Sequence, residues 1–353
     1  MPVELDRKND VIEVQWFPHY KSINSSDFVS CVNHAGPRFL KMSNGVMIPF
    51  VGFGLGGEEC TAETFENALK RALEVKYLHI DLTQIGCHEK LAGQIFKEYF
   101  TSGKLVRQDI FITAKLPLNS IHDKSVKDQI LSQIQNLNLM YIDLYLVSSP
   151  SLSPDISPRV KNSPRARELD WLLQVWNGME EIYNLRLARS IGLRGFNIEQ
   201  FQKIMADGTI RPHNVQVELQ NKILSKELVC VCRSTNVSLT AYAPFGDPEG
   251  EEESFLSNAS TPHLVQFMIS KYAKTVAQLL IRHFTQKNIV VVLKNKKEDK
   301  MKEAVSSLNF SFVSNDIKEL DSLEPFYRQN TDGTDVSNQE SDLTLELSRI
   351  KLL

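Results

Sequence analysis

No stretch of this chain is both long and apolar enough to cross a bilayer, and the opening Met1-Pro2-Val3-Glu4-Leu5-Asp6-Arg7-Lys8 lacks the basic-then-apolar build of a signal peptide. A dominant charge is lacking too. The 40 basic and 43 acidic residues are well mixed, and a net charge of -3 supplies no field that would favour nucleic acid or an anionic membrane. Cysteine is scarce: Cys31, Cys60, Cys87, Cys230 and Cys232 are odd in number and scattered, which argues against a disulfide framework and for a reducing compartment. Metal-ligand spacing is absent as well. Cys230 and Cys232 have no His or Cys cluster near them and read as two ordinary thiols, so no metal is expected. No GxGxxG follows a strand-like run, which removes the phosphate turn of a doubly wound dinucleotide fold. The expectation from these absences is a soluble cytoplasmic protein with no nucleic-acid or membrane partner.

What the chain does have is alternation. Short β-rich runs recur at Pro49 to Phe53, Tyr77 to Asp81, Ile110 to Leu116, Ile142 to Val147, Ser190 to Leu193, Asn214 to Glu218, Ser238 to Tyr242 and Ile289 to Val292, with helical patterns between them. After the first run, Thr61-Ala62-Glu63-Thr64 supplies a hydroxyl cap and an early acid, and Phe65, Ala68, Leu69, Ala72 and Leu73 follow at helical spacing. Leu131 to Leu139 and Trp171 to Tyr183 read the same way. Eight strand–helix units predict an α/β fold of the (β/α)8 TIM-barrel type, closed rather than open. Residues 1–40 show no sustained periodicity and read as a loose extension, 41–325 as the barrel and 326–353 as a polar tail. Within that tail Leu343 to Leu347 could pack or form a short strand. The Ser- and Pro-rich stretch Ser148 to Arg167 follows strand four, as a functional loop or as an empty insertion.

Several segments, in order, resemble the aldo-keto reductase family. They are Ile48-Pro49-Phe50-Val51-Gly52-Phe53-Gly54, the strand His79-Ile80-Asp81, Ile110 to Leu116, Tyr141 to Leu146, Ile191-Gly192-Leu193 followed by Phe196-Asn197, Gln216-Val217-Glu218, and Leu239 to Gly246. The resemblance runs from about Met42 to Pro325. It implies an eight-stranded barrel that transfers hydride between NADP(H) and a small-molecule carbonyl without a metal, using an aspartate, a tyrosine, a lysine and a histidine.

Asp81 and Lys115 stand at the aspartate and lysine positions. The tyrosine position, five residues after Asp81, is Gly86, and the histidine position after Leu144-Tyr145-Leu146-Val147 is Ser148. Ser149 stands for a pocket tryptophan, and Leu55-Gly56 for a second aromatic wall. Glycine carries no donor, and a serine hydroxyl does not titrate near neutral pH. Without the phenol, Asp81 and Lys115 are expected to remain as a buried ion pair. His88 and Cys87 are the nearest other candidates and read as helix-start residues pointing elsewhere.

On the cofactor side, Tyr242 matches the ring that stacks on nicotinamide and Gln216 the amide that holds its carboxamide. Arg194 replaces a small polar residue of that clamp, and either reaches into the nicotinamide site or turns outward. Lys294, Asn295 and Lys300 align with the segment that grips the adenosine 2′-phosphate, Lys300 in place of an arginine that could also stack. The alternative reading of Lys296, Lys297, Lys300 and Lys302 is the solvated start of a helix. The functional expectation is a member of this NADP(H)-dependent oxidoreductase family that is catalytically impaired and acts by binding cofactor or a protein partner. The alternative is an active NADPH-dependent aldehyde or ketone reductase with an atypical proton donor, water or His88.

Overall fold

The computed structural model describes residues 38–54, 60–83, 85–116, 125–149, 165–218, 226–243, 263–294 and 296–321. Eight parallel strands close into a barrel: β3 (Val51–Gly54), β4 (His79–Asp81), β5 (Phe111–Lys115), β6 (Leu144–Ser148), β7 (Ile191–Arg194), β8 (Asn214–Glu218), β9 (Ser238–Tyr242) and β10 (Ile289–Leu293). Neighbours in the barrel are neighbours in sequence, and β10 closes on β3 through Val291 opposite Val51. The eight sequence runs all became strands. Their near-continuous apolar character follows from burial on both faces, by lumen and by helices, and all five residues of β10 are buried.

At the N-terminal end of the strands lie features of which the residue pattern showed only the turn Ser43-Asn44-Gly45. Ahead of the barrel, β1 (Phe39–Lys41) and β2 (Met47–Pro49) form an antiparallel hairpin around Gly45, whose φ of +85° is the left-handed conformation the turn requires. Asn44 at its tip donates to the carbonyl of Arg189 at 3.0 Å and to Ser190 Oγ at 3.0 Å, just before β7 begins. The hairpin is thereby pinned to the N-terminal end of the barrel. At the same end, buried Asp143 accepts from Arg107 at 2.6 Å, from Arg189 at 2.9 Å and from the Ile112 amide at 2.9 Å. That carboxylate ties three strand entries together.

Local chemistry sets the helices. Helix α1 (Ala62–Glu74) starts at Thr61, whose hydroxyl accepts from the Thr64 amide, and it buries Phe65, Ala68, Leu69, Ala72 and Leu73, the stripe visible in the sequence. Helix α2 (Glu89–Thr101) follows β4. Helix α3 (Val126–Asn136) starts earlier and ends earlier than its apolar spacing alone suggests. A capping box joins Ser125 and Asp128, and Asn138 turns left-handed at φ +51° to end it. Gly93 of α2 lies so close to α3 that an added Cβ would stand 2.1 Å from the Asn136 carbonyl oxygen. Helices α4 (Arg165–Asn184), α5 (Ile198–Asp207), α6 (Lys226–Ser234), α7 (His263–Tyr272), α8 (Val276–Gln286), α9 (Glu298–Ser306) and α10 (Ser314–Asp321) complete those described. None of the described helices is long and apolar enough to cross a membrane. The stretch 150–164, the residues after 321 with Leu343 to Leu347, and residues 1–37 lie outside the described residues.

Two core histidines set an acid limit. Burial pulls His79 down from 6.5 to about 3 and His213 to about 4. The unfolded chain therefore takes up protons that the folded chain refuses between those values and 6.5. Their contribution to stability is complete above pH 6.5 and is lost as pH falls through the window, by about 1.4 kcal/mol per pH unit for each histidine. Urea unfolding between pH 7 and 5 is expected to show this decline, and a flat profile would contradict it.

Candidate functional site

The register of the barrel gathers the sequence-predicted residues at the C-terminal ends of the strands. Gly54 pairs with Asp81, Lys115 with Leu146, Ser148 with Arg194, Arg194 with Gln216, and Tyr242 with both Glu218 and Val292. Asp81, Lys115, Ser148, Arg194, Gln216 and Tyr242 thus share one end, where barrels of this kind carry their chemistry. A cleft of about 260 Å3 elsewhere, lined by Leu40, Cys232, Asn236, Lys287 and their neighbours, lies at the N-terminal ends of β9 and β10 and touches none of them.

Asp81 is fully buried and is held by Thr83, which the residue pattern did not single out, and by Gln216, which was expected there for another role. Its Oδ1 accepts from the Thr83 amide at 2.9 Å and from the Thr83 hydroxyl at 2.6 Å, while Oδ2 accepts from Gln216 Nε2 at 2.6 Å. The Thr83 contacts follow from an aspartate bonding its own backbone two residues on, a signal present in Asp81-Leu82-Thr83. The Gln216 bond was not legible, because it joins β4 to β8, which stand opposite each other in the closed ring. It crosses the lumen.

The contacts seen at the Asp81 carboxylate are those of Thr83 and Gln216, and Arg194 acts on it as a nearby cation. Burial raises the Asp81 carboxyl above its ordinary value, against the lowering pull of Thr83, Gln216 and Arg194. Arg194 sits on the next strand from Ser148 and is 5% exposed. It turns inward, which resolves the two orientations left open by its position in the sequence. Its Nε donates to Gln216 Oε1 at 3.1 Å, and its guanidinium carbon lies 5.8 Å from the Tyr242 ring centre. Lys294 Nζ stands 5.6 Å from the same centre. Asp81, Gln216 and Arg194 form one hydrogen-bonded chain over a fully buried tyrosine.

At Gly86 the backbone has φ +53°, and a Cβ built there meets nothing within 4 Å. Space for a side chain exists, but the backbone favours glycine. Ser148 Oγ is buried with no hydrogen-bond partner among the described residues. His88 is committed elsewhere: its Nε2 lies 2.7 Å from the Cys60 carbonyl oxygen and its ring stacks on Phe65 at 5.0 Å. Cys87 is exposed beside it. After β10, Lys300 pairs with Glu303 at 2.9 Å and Lys302 with Glu298, all on α9, and Lys300 is more than half exposed. Asn295 lies outside the described residues, as do Leu55 and Gly56. No His, Cys, Asp and Glu cluster suited to a metal occurs among the described residues.

Removing the carboxylate by Asp81→Ala leaves the Gln216 amide and the Thr83 N–H without acceptors in the interior. A loss of about 3 kcal/mol in urea unfolding is expected. A loss below about 1 kcal/mol would mean that the lumen bond carries no weight.

The sequence profile described as "Aldo/keto reductase family" matches residues 50–325. Among curated proteins, an aldo-keto reductase of Bombyx mori is 28% identical over 300 residues, spanning 82% of this chain and 93% of that protein. Prostaglandin F synthase 1 of Bos taurus is 30% identical over 295 residues, spanning 80% and 90%. Among solved structures, the Bombyx mori aldo-keto reductase in complex with NADP superposes with a TM-score of 0.67 at 25% identity, covering 88% of this chain and 98% of that one. The aldose reductase of Schistosoma japonicum does so at 0.68 and 27%, covering 87% and 100%.

Proposed function

The chain belongs to the aldo/keto reductase family of NADP-dependent oxidoreductases, and from that premise we propose that it binds NADP(H) while lacking a working proton donor for carbonyl reduction. It acts on this reading as a cofactor-binding or interaction protein, in a reducing cytoplasmic setting, with residues 41–325 as the functional barrel and the two ends as appendages. The observation that carries the reading is Gly86. Reduction of an aldehyde or ketone requires a proton at the carbonyl oxygen as hydride arrives at carbon, and this position offers no acid. Ser148 adds a hydroxyl that cannot supply charge at neutral pH, and His88 is tied to a backbone carbonyl and a phenylalanine ring. Asp81, which in the family's arrangement helps tune the phenol, here accepts from Gln216 and Thr83.

The cofactor half of the reading is supported by a relative of the same fold that carries NADP. The residues fit the two ends of such a dinucleotide unequally. Lys294, Asn295 and Lys300 are the proposed 2′-phosphate group, and the exposed Lys300 can leave Glu303 for a phosphate at small cost, since surface pairs contribute little. Gln216 and Tyr242 are the proposed nicotinamide contacts, and both are already engaged, by Arg194 among others. The nicotinamide end therefore does not fit as it stands.

Two outcomes follow. Titration of intrinsic fluorescence is expected to show saturable NADPH binding in preference to NADH, with aldehyde reduction slower by about 10²- to 10⁴-fold than general acid catalysis would allow. At saturating NADPH, Gly86→Tyr combined with Ser148→His is expected to raise turnover by about 10²-fold or more, after a strain cost at residue 86 of about 1–3 kcal/mol seen in thermal melts. Turnover of about 10 s⁻¹ by the unmodified protein, an ordinary enzyme rate, would overturn the reading.

A further inference from the structure

We infer that Arg194 is a resident competitor for the nicotinamide position. The barrel then grips NADP(H) by its adenosine 2′-phosphate half, and the nicotinamide half enters only by displacing the guanidinium. The inference rests on the proposed cofactor binding and concerns which half of the cofactor contributes to it.

Three observations of this chain converge. The Gln216 amide has both ends in use, Nε2 donating to Asp81 at 2.6 Å and Oε1 accepting from Arg194 at 3.1 Å. A carboxamide arriving there has to break one of these bonds. The Tyr242 ring is 0% exposed, because Gly54 allows its edge to within 2.9 Å of where a Cβ would be, while Arg194 and Lys294 stand near the same ring. A planar ligand has no open face to stack on. Arg194 itself is held in place from two sides, through Gln216 and through its attraction to Asp81, in surroundings that exclude water and strengthen both. The cation is part of the folded interior, and opening the site removes a charge-assisted bond before any ligand contact replaces it.

Calorimetric titration of the full chain with NADPH and with 2′,5′-ADP, which lacks the nicotinamide half, tests this directly. The unmodified protein is expected to bind the two within about threefold of each other, since the second half adds no net affinity. In Arg194→Met, which keeps the apolar stem and removes the charge, NADPH is expected to tighten by about tenfold or more while 2′,5′-ADP stays unchanged. An NADPH affinity in the unmodified protein already about tenfold above that of 2′,5′-ADP overturns the inference and leaves the cofactor reading standing. An unchanged NADPH affinity in a folded Arg194→Met does the same. If neither nucleotide binds the unmodified protein, the cofactor reading falls, and this inference with it. Should Arg194→Met fail to fold, the comparison of the two nucleotides on the unmodified protein decides alone.

Discussion

The hydrogen bond from Gln216 to Asp81 is the contact on which the arrangement of the barrel mouth depends. It joins strands on opposite sides of the ring, so it restrains the lumen in a way that no bond between neighbouring strands can. Its length of 2.6 Å and its burial mark a charge-assisted bond in a low-dielectric interior. Once the amide nitrogen is committed to Asp81, the amide oxygen is presented toward β7. There it meets Arg194, the residue paired in register with Gln216 itself. The direction of one side-chain amide thus orders a carboxylate, an arginine and the aromatic ring beneath them.

Electrostatics explains why an arginine is tolerated in so confined a place. A buried carboxylate is costly unless a cation or several donors compensate it, and burial here does raise the Asp81 carboxyl. Thr83 and Gln216 supply donors, and Arg194 supplies positive charge from across the lumen. Arginine suits the position better than lysine would, since its planar head can donate to an amide and lie beside an aromatic ring at the same time.

How much of this was legible in the residues divides along a physical line. Strands buried on both faces announce themselves as short β-branched runs, and β10, Ile-Val-Val-Val-Leu, needs no context to be recognised. The α1 stripe was legible for the same reason, since a helix packs the residues its period places on one face. The hairpin of β1 and β2 was not, because its strands are three residues long and its stability comes from Asn44 reaching Arg189 and Ser190, about 145 residues away. The site divides likewise. The departures expected at Gly86 and Ser148 are readable in one dimension, because the identity of a side chain needs no geometry to be noticed. The bond from Gln216 to Asp81 depends on which side chains meet across a closed ring, and neither spacing nor composition encodes a diameter. Arg194 was identified as an anomaly, but only its burial and its bond to Gln216 reveal the direction it takes.

These departures are connected rather than separate. On the proposed reading, carbonyl reduction calls for the Gln216 amide open toward a cofactor and a donor poised over the carbonyl. A guanidinium bonded to that amide and lying beside Tyr242 serves neither requirement. Gly86 carries no side chain and Ser148 only a hydroxyl, so neither competes with that guanidinium for the amide. Arg194 contributes to the fold by helping to compensate Asp81 while occupying the surroundings of the proposed nicotinamide end. The same amide can serve the cross-barrel chain or a carboxamide, but its two ends cannot serve both at once.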